Sequence, residues 1–260
     1  MHEMRHSLAH IMAQAVQHLW PQAKFGVGPA IDDGFYYDID LGGATISEDD
    51  FPKIEKEMKK IIAANYPFER RDVPIEDAIA WAESNRQVFK LELLNDLKRS
   101  GTTVAKELVG EDLGSITDKD SKLKTVSLYS QGDYTDLCRG GHADSTGKVG
   151  AFKLMRVAGA YWRGDEKRQQ MQRLYGVAFA THKELDDYLK KLELAKQRDH
   201  RKLGKELDLY TTSPLVGVGL PLFTPRGTIL RDVVAQYSNQ LRQKFRSEEH
   251  TSELQSLGRI

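Results

Sequence analysis

Two pairs of side chains carry the strongest chemical signal in this sequence. His6 and His10 stand four positions apart in RHSLAH. On a helix their rings share one face about one turn apart. Cys138 and His142 stand four apart in CRGGH, where Gly140 and Gly141 suit a tight turn that folds two side chains toward one point. Together they read H-x3-H…C-x3-H. Three imidazoles and a thiolate could bind zinc tetrahedrally. The same groups could instead orient and deprotonate a water for hydrolysis. Either pair alone also fits ordinary hydrogen-bonded histidines. The two pairs together say more, because the only cysteine of the chain falls at the motif spacing. A zinc-protease helix would need Glu at position 7, where Ser7 stands. GVGPAI and GVGLPL lack the third glycine of a dinucleotide fingerprint, are interrupted by Pro29 and Pro221, and read as turns.

The elements that must position these groups follow from periodicity. Residues 5–20 predict a helix with Leu8, Ile11, Met12, Ala15 and Leu19 on one face, stopped by Pro21. KFGVGPAI and GFYYDIDL predict a hairpin about Asp32–Gly34. SEDDFPKIEKEMKKIIAANY predicts a helix capped by Ser47 and early acids. FERRDV reads as extended, and PIEDAIAWAESN as a helix opened by Pro74. Residues 96–125 read as a polar, glycine-punctuated loop insertion. TVSLYSQG, GAFKLMRVAGAYWRGD and QMQRLYGVAFA alternate like strands. Residues 183–207 read as one long charged helix, with seven basic residues against two acids between Lys190 and Lys205. That run is either a solvated face or a basic surface for RNA. GTILRDVVAQYSNQLRQKF reads as a further helix. The order is not regular strand–helix alternation, so the expected class is α+β.

Composition bounds the function. The chain has 260 residues, 38 basic against 38 acidic, so its formal charge is zero. Any nucleic-acid contact must therefore come from local basic faces. Hydrophobic residues make up 40%, enough for a core. One cysteine excludes an intramolecular disulfide and fits a reducing compartment. No run of about 18 apolar residues predicts a membrane span, and the N-terminal segment does not read as a signal peptide. RSEEHTSELQS, Arg246–Ser256, resembles the translation of a sequencing-adapter oligonucleotide. Residues 246–260 are therefore expected to be non-native, following a helix cut off mid-element.

RHSLAHIMAQAV, FGVGPAIDDGFYYDID, DLCRGGH, AGAYWRGD, QRLYGVAFA and RDHRKLGKELDLY occur in this order. They resemble the editing domain and linker helix of bacterial-type threonyl-tRNA synthetases over about 1–245. Editing domains of the alanyl type share the H-x3-H…C-x3-H core but do not continue through RDHRKLGKELDLY into a class II catalytic domain. The resemblance implies an editing domain at 1–182, a linker helix at 183–206 and the truncated start of a class II domain at 207–245. GTILRDVVAQYSNQLRQKF resembles the first class II motif helix. The family's N-terminal ubiquitin-like domain, ATP-binding motifs, catalytic zinc ligands and anticodon-binding domain are expected to lie outside this chain. ATP, magnesium and zinc are then needed only by the missing catalytic domain, and this polypeptide is expected not to aminoacylate.

The resemblance also implies a reaction. Threonine and serine differ by one methyl, worth only about 1–3 kcal/mol, or roughly 10–200-fold, in a binding pocket. A second site that hydrolyses the seryl ester corrects the error. His6, His10, Cys138 and His142 are expected to line that site, with Lys90 matching the family's catalytic lysine and Asp136 an acidic pocket residue. A histidine near a helix N-terminus is held toward its neutral form by the dipole, which suits a base. Lys90 is expected to stabilise charge or orient the terminal ribose; without the resemblance it reads as a surface lysine. Tyr129 and Tyr134 are candidates for stacking on the terminal adenine or for core packing. Arg156, Arg163, Arg168 and Arg173 are candidates for the acceptor stem. Gly141 replaces the proline of the family's C-R-G-P-H and loosens that turn. The site is expected to function without metal, zinc at His6, His10, Cys138 and His142 being the alternative. A non-catalytic tRNA-binding or degenerate fragment and a zinc-dependent hydrolase of the alanyl-editing type remain the competing readings. The expected partner is the tRNA(Thr) acceptor end, the parent enzyme is expected to be a cytoplasmic homodimer, and no membrane is involved.

Overall fold

A computed structural model describes residues 1–100, 124–217 and 219–244. Contacts divide the chain into two units, Met1–Tyr188 and Leu189–Ile260. The first unit is built on helix α1 (His2–Leu19), buried continuously from His6 to Val16. It ends where the Trp20 N–H returns to the Val16 carbonyl at 2.7 Å, just before Pro21.

An antiparallel sheet packs on α1. It comprises β1 (Lys24–Phe25), β2 (Ala30–Ile31), β3 (Gly34–Asp40), β7 (Ala151–Tyr161) and β8 (Gln170–Phe179). The order is β1–β3–β8–β7, with β2 also on β3. Strand β3 puts Phe35, Tyr37 and Ile39 into the core by simple alternation. The predicted hairpin is present, with Ile31 opposite Gly34 around Asp32–Asp33. Between β1 and β2 the segment stays on β3 through Gly26 N to Asp38 O and Asp38 N to Val27 O. Gly28 is required there because a Cβ would fall 2.2 Å from the Tyr37 ring; this explains one glycine of GVGPAI without a nucleotide.

Helix α2 (Phe51–Ala64) covers α1 and starts after Ser47, whose N–H and hydroxyl both donate to Asp50. It stops at Asn65, which takes the left-handed conformation at φ 53°. A second antiparallel sheet has the order β4 (Glu69–Pro74), β5 (Thr125–Gln131), β6 (Tyr134–Leu137). It packs with α3 (Ile75–Ser84) and α4 (Val88–Ser100) around Ile75, Ala78, Ala82, Leu94, Leu97 and Val126.

The second unit holds most of α5 (His182–Gln197), then α6 (His200–Glu206), the pair β9 (Tyr210–Thr211) and β10 (Leu222–Phe223), and α7 (Pro225–Lys244).

Three local expectations change. Residues 96–100 are the last turns of α4 rather than the start of an insertion. Residues 101–123 and the tail at 246–260 lie outside the described residues. The single helix over 183–207 is broken at Arg198–Asp199, where the Asp199 side chain accepts from Arg201 N at 2.8 Å and caps a new helix. Strand β6 was not anticipated, because YTDL is too short and polar to show alternation.

Candidate functional site

Helix α1 carries His6 and His10 one turn apart, as the spacing demands. The β5–β6 hairpin delivers the other half: Asp136 lies on β6, and Cys138 and His142 follow it. Gly140 and Gly141 make the return with φ of 115° and 79°, conformations that cost little only for glycine. A Cβ on Gly140 would fall 2.3 Å from the Tyr129 hydroxyl.

The four residues converge. Ligand atoms of His6, His10, Cys138 and His142 all lie within 4.8 Å of one another. Cys138 Sγ is 3.4 Å from His6 Nε2 and 3.3 Å from His142 Nε2. The His6 and His142 rings stack at 4.3 Å, and His142 stacks again on Phe68 at 4.8 Å and 2°. His6 and His10 are buried while Cys138 and His142 are half-buried, so the cluster opens toward the CRGGH turn.

Behind it sits a buried ion pair. Lys90, from α4, places Nζ 2.6 Å from Asp136 Oδ1. Tyr37 donates its hydroxyl to Asp136 Oδ2 and accepts from Lys90 at 3.1 Å. Asp136 Oδ2 faces His10 Nε2 at 3.9 Å. Lys90 is therefore not a surface lysine: it is enclosed, with its ammonium spent on Asp136 and Tyr37. Tyr37 was not among the expected site residues. Its signal was a hydroxyl on the buried face of β3, since a buried Tyr O–H needs a partner.

Electrostatics favour neutral imidazoles. Burial, then the neighbouring His6 and Lys90, hold His10 well below the usual histidine range. Burial, then His10 and His6, do the same for His142. The cause is desolvation and like charge, not the helix N-terminus: His10 lies mid-way along α1. Burial and Asp136 push the Tyr37 hydroxyl well above its ordinary value, so it stays a donor.

The donor set also fits zinc. Metal–ligand lengths of about 2.0–2.1 Å to nitrogen and about 2.3 Å to sulfur require ligand atoms some 3–4 Å apart, and the two sulfur–nitrogen distances already satisfy that.

The other expected contacts divide. Tyr129 borders the site, its ring 4.8 Å from that of His142. Tyr134 is only 2% exposed and packs edge-on to His10 and Phe25; core packing removes it from base stacking. Arg163 pairs with Glu92 at 3.2 Å and Asp96 at 2.5 Å. Arg173 forms a two-pronged bond to Asp38 at 2.6 and 2.8 Å. Arg168 reaches Glu92 at 2.6 Å. Arg156 is exposed and lies over the Tyr175 ring at 4.2 Å. These four arginines are not brought to the His/Cys cluster by any of these contacts.

Known proteins now bear on the geometry. Residues 126–175, which carry Asp136, Cys138 and His142, match the family described as threonyl and alanyl tRNA synthetase second additional domain. The chain is 48% identical over 234 residues to a threonine–tRNA ligase of Anoxybacillus flavithermus. It is 47% identical to threonine–tRNA ligase 1 of Bacillus subtilis, in each case over 90% of this chain and 33% of the relative. A threonine–tRNA ligase of Clostridium acetobutylicum is 45% identical over 93% of this chain and 34% of its own length. Over nine-tenths of its length the chain thus matches a part of threonine–tRNA ligases, and residues 126–175 match a domain of the threonyl and alanyl enzymes. It spans about a third of the length of the curated relatives it matches. The aligned 90% of the chain takes in far more than residues 126–175. Among the described residues no helix is long and apolar enough to cross a membrane.

Proposed function

We propose that residues 1–182 form a tRNA-editing domain that hydrolyses seryl-tRNA(Thr). The observation that carries this reading is the convergence of His6, His10, Cys138 and His142 in front of the Lys90–Asp136 pair, in a chain with these relatives. In the proposed reaction a water oxygen attacks the ester carbonyl carbon. Its proton passes to an imidazole of the cluster; burial keeps His10 and His142 neutral and able to accept, while also weakening them as bases. The acyl carbon–ribose oxygen bond breaks, and the ribose oxygen takes the proton back. Lys90 acts as a positioning residue: its ammonium holds Asp136 beside His10 rather than reaching the ribose. Cys138 lines the pocket instead of attacking. The experiment is hydrolysis of seryl-tRNA(Thr) by the chain and by His10→Ala. A loss of about 10²–10⁴-fold in the variant is expected for removal of a proton-transfer group; equal rates would overturn the assignment.

The same reading makes 183–206 a linker, 207–245 the start of a class II catalytic domain and 246–260 a non-native tail. The tRNA(Thr) acceptor end is the partner. Ligation of threonine with ATP, homodimerisation and a cytoplasmic setting belong to the parent enzyme. Zinc is the second reading, favoured by four donors within 4.8 Å. His6, His10, Cys138 and His142 would hold it, and it would supply Lewis-acid activation of water only where one of the four left its position open.

A further inference from the structure

The proposed site is assembled from two packing layers. His6 and His10 belong to α1 and the first core. Asp136 and Cys138 belong to the small sheet and its exit, whose Val126 and Leu137 pack with α3 and α4. Tyr134 is the buried side chain by which that sheet enters the first core. The exit of β6 is tied to α1 by the Ala143 N–H, which donates to Ser7 Oγ at 2.9 Å; the opposite end of the hairpin takes a tie of its own.

That tie lies at the β5–β6 turn. Gln14 and His18 follow His10 at successive four-residue steps on α1, and so continue its face. Asp133 stands three residues before Asp136. Gln14 Nε2 donates to Asp133 Oδ1 at 2.7 Å. His18 Nε2 lies 3.0 Å from both Asp133 oxygens. The other ring nitrogen, Nδ1, is 3.0 Å from Glu57 Oε1 on α2. With both nitrogens facing carboxylates, the ring is best served as a cation donating twice.

We propose that His18 is a positioning residue: as a cation between Glu57 and Asp133 it clamps the β5–β6 turn to α1, and thereby fixes Asp136 and Cys138 relative to His6 and His10. Its effect on turnover rests on the editing reading; the clamp itself does not.

The charged groups around His18 are Glu57, Asp133 and, through Glu57 at 2.6 Å, Lys60. Burial alone would lower the His18 pKa, but the hydrogen bonds and charges of Glu57 and Asp133 raise it. The clamp is thus fully charged below about pH 6.5 and is lost as pH rises through the raised value. His10 and His142 shift in the opposite direction, so the two titrations separate.

The test uses the full chain and two independent readouts. Hydrogen exchange of amides 131–137 should quicken by about 1.4–5-fold in His18→Gln at pH 6, the range for a partly exposed ion pair. His18→Lys, which restores a cation, should recover protection and hold it to higher pH. Seryl-ester hydrolysis should show an alkaline loss in kcat that His18→Gln lacks and His18→Lys moves upward, with KM unchanged. Unaltered exchange in His18→Gln overturns the clamp. An inactive chain with quickened exchange would instead overturn the editing reading and leave the clamp standing.

Discussion

Lys90 and Asp136 meet at 2.6 Å with side chains only 4% and 3% exposed. Removing one partner strands the other as an uncompensated buried charge, at about 3–5 kcal/mol. Lys90→Ala and Asp136→Ala should each lower unfolding free energy by that order in chemical denaturation. The double variant Lys90→Met with Asp136→Leu should cost much less than the two singles added. Additive losses would show that the pair is not coupled. Activity losses in Lys90→Ala must then be read on protein shown to be folded.

The acid limb of stability follows from the buried imidazoles. His10 and His142 have folded-state pKa values lowered by burial. Below the unfolded value of about 6.5, the unfolded chain binds more protons, so stability falls as pH falls. Each group contributes up to about 1.4 kcal/mol per pH unit there. His18 does not alter this slope, because its raised pKa makes its contribution complete below about pH 6.5 and lost only above it. Denaturation at pH 7 and 5 should show lower stability at pH 5, with a shallower slope in His142→Gln. An identical slope in that variant would contradict the assignment.

Much of this site was legible because its signals are local. The four-residue spacings of His6/His10 and Cys138/His142 translate directly into one helix face and one glycine turn. The Lys90 environment was not legible: KLELL shows only an amphipathic run, and its partner Asp136 lies on another element, brought in by the β5–β6 pairing of Tyr129 with Asp136. The partners of the arginines were hidden for the same reason. Arg163 and Arg173 look like free cations in sequence, and only the fold supplies Asp96 and Asp38. The break in the charged helix at Asp199 was readable in principle, since Asp is a strong N-cap, but the basic run around it hid the signal.

Those pairings separate the arginines by experiment. Arg163→Ala should lower the thermal midpoint by several degrees, as a half-buried pair with Asp96 is lost. Arg156→Ala, on an exposed side chain, should leave the midpoint nearly unchanged. If Arg156 touches the acceptor stem, its loss raises KM and reduces the salt dependence of binding. A stability loss confined to Arg156→Ala would reverse the reading.

Cys138 distinguishes water from zinc. Elemental analysis of the purified chain should give far less than one zinc per molecule, and Cys138→Ser should retain most hydrolysis. Stoichiometric zinc with chelator-sensitive turnover would assign the four ligands to the metal instead.

The most direct measurement compares hydrolysis of seryl-tRNA(Thr) and threonyl-tRNA(Thr) by the chain at saturating substrate and low salt. The account predicts turnover of the seryl ester and a much slower threonyl reaction, with His6→Ala and His10→Ala abolishing the difference by removing the chemistry. Equal hydrolysis of both esters, or none by demonstrably folded protein, would contradict it.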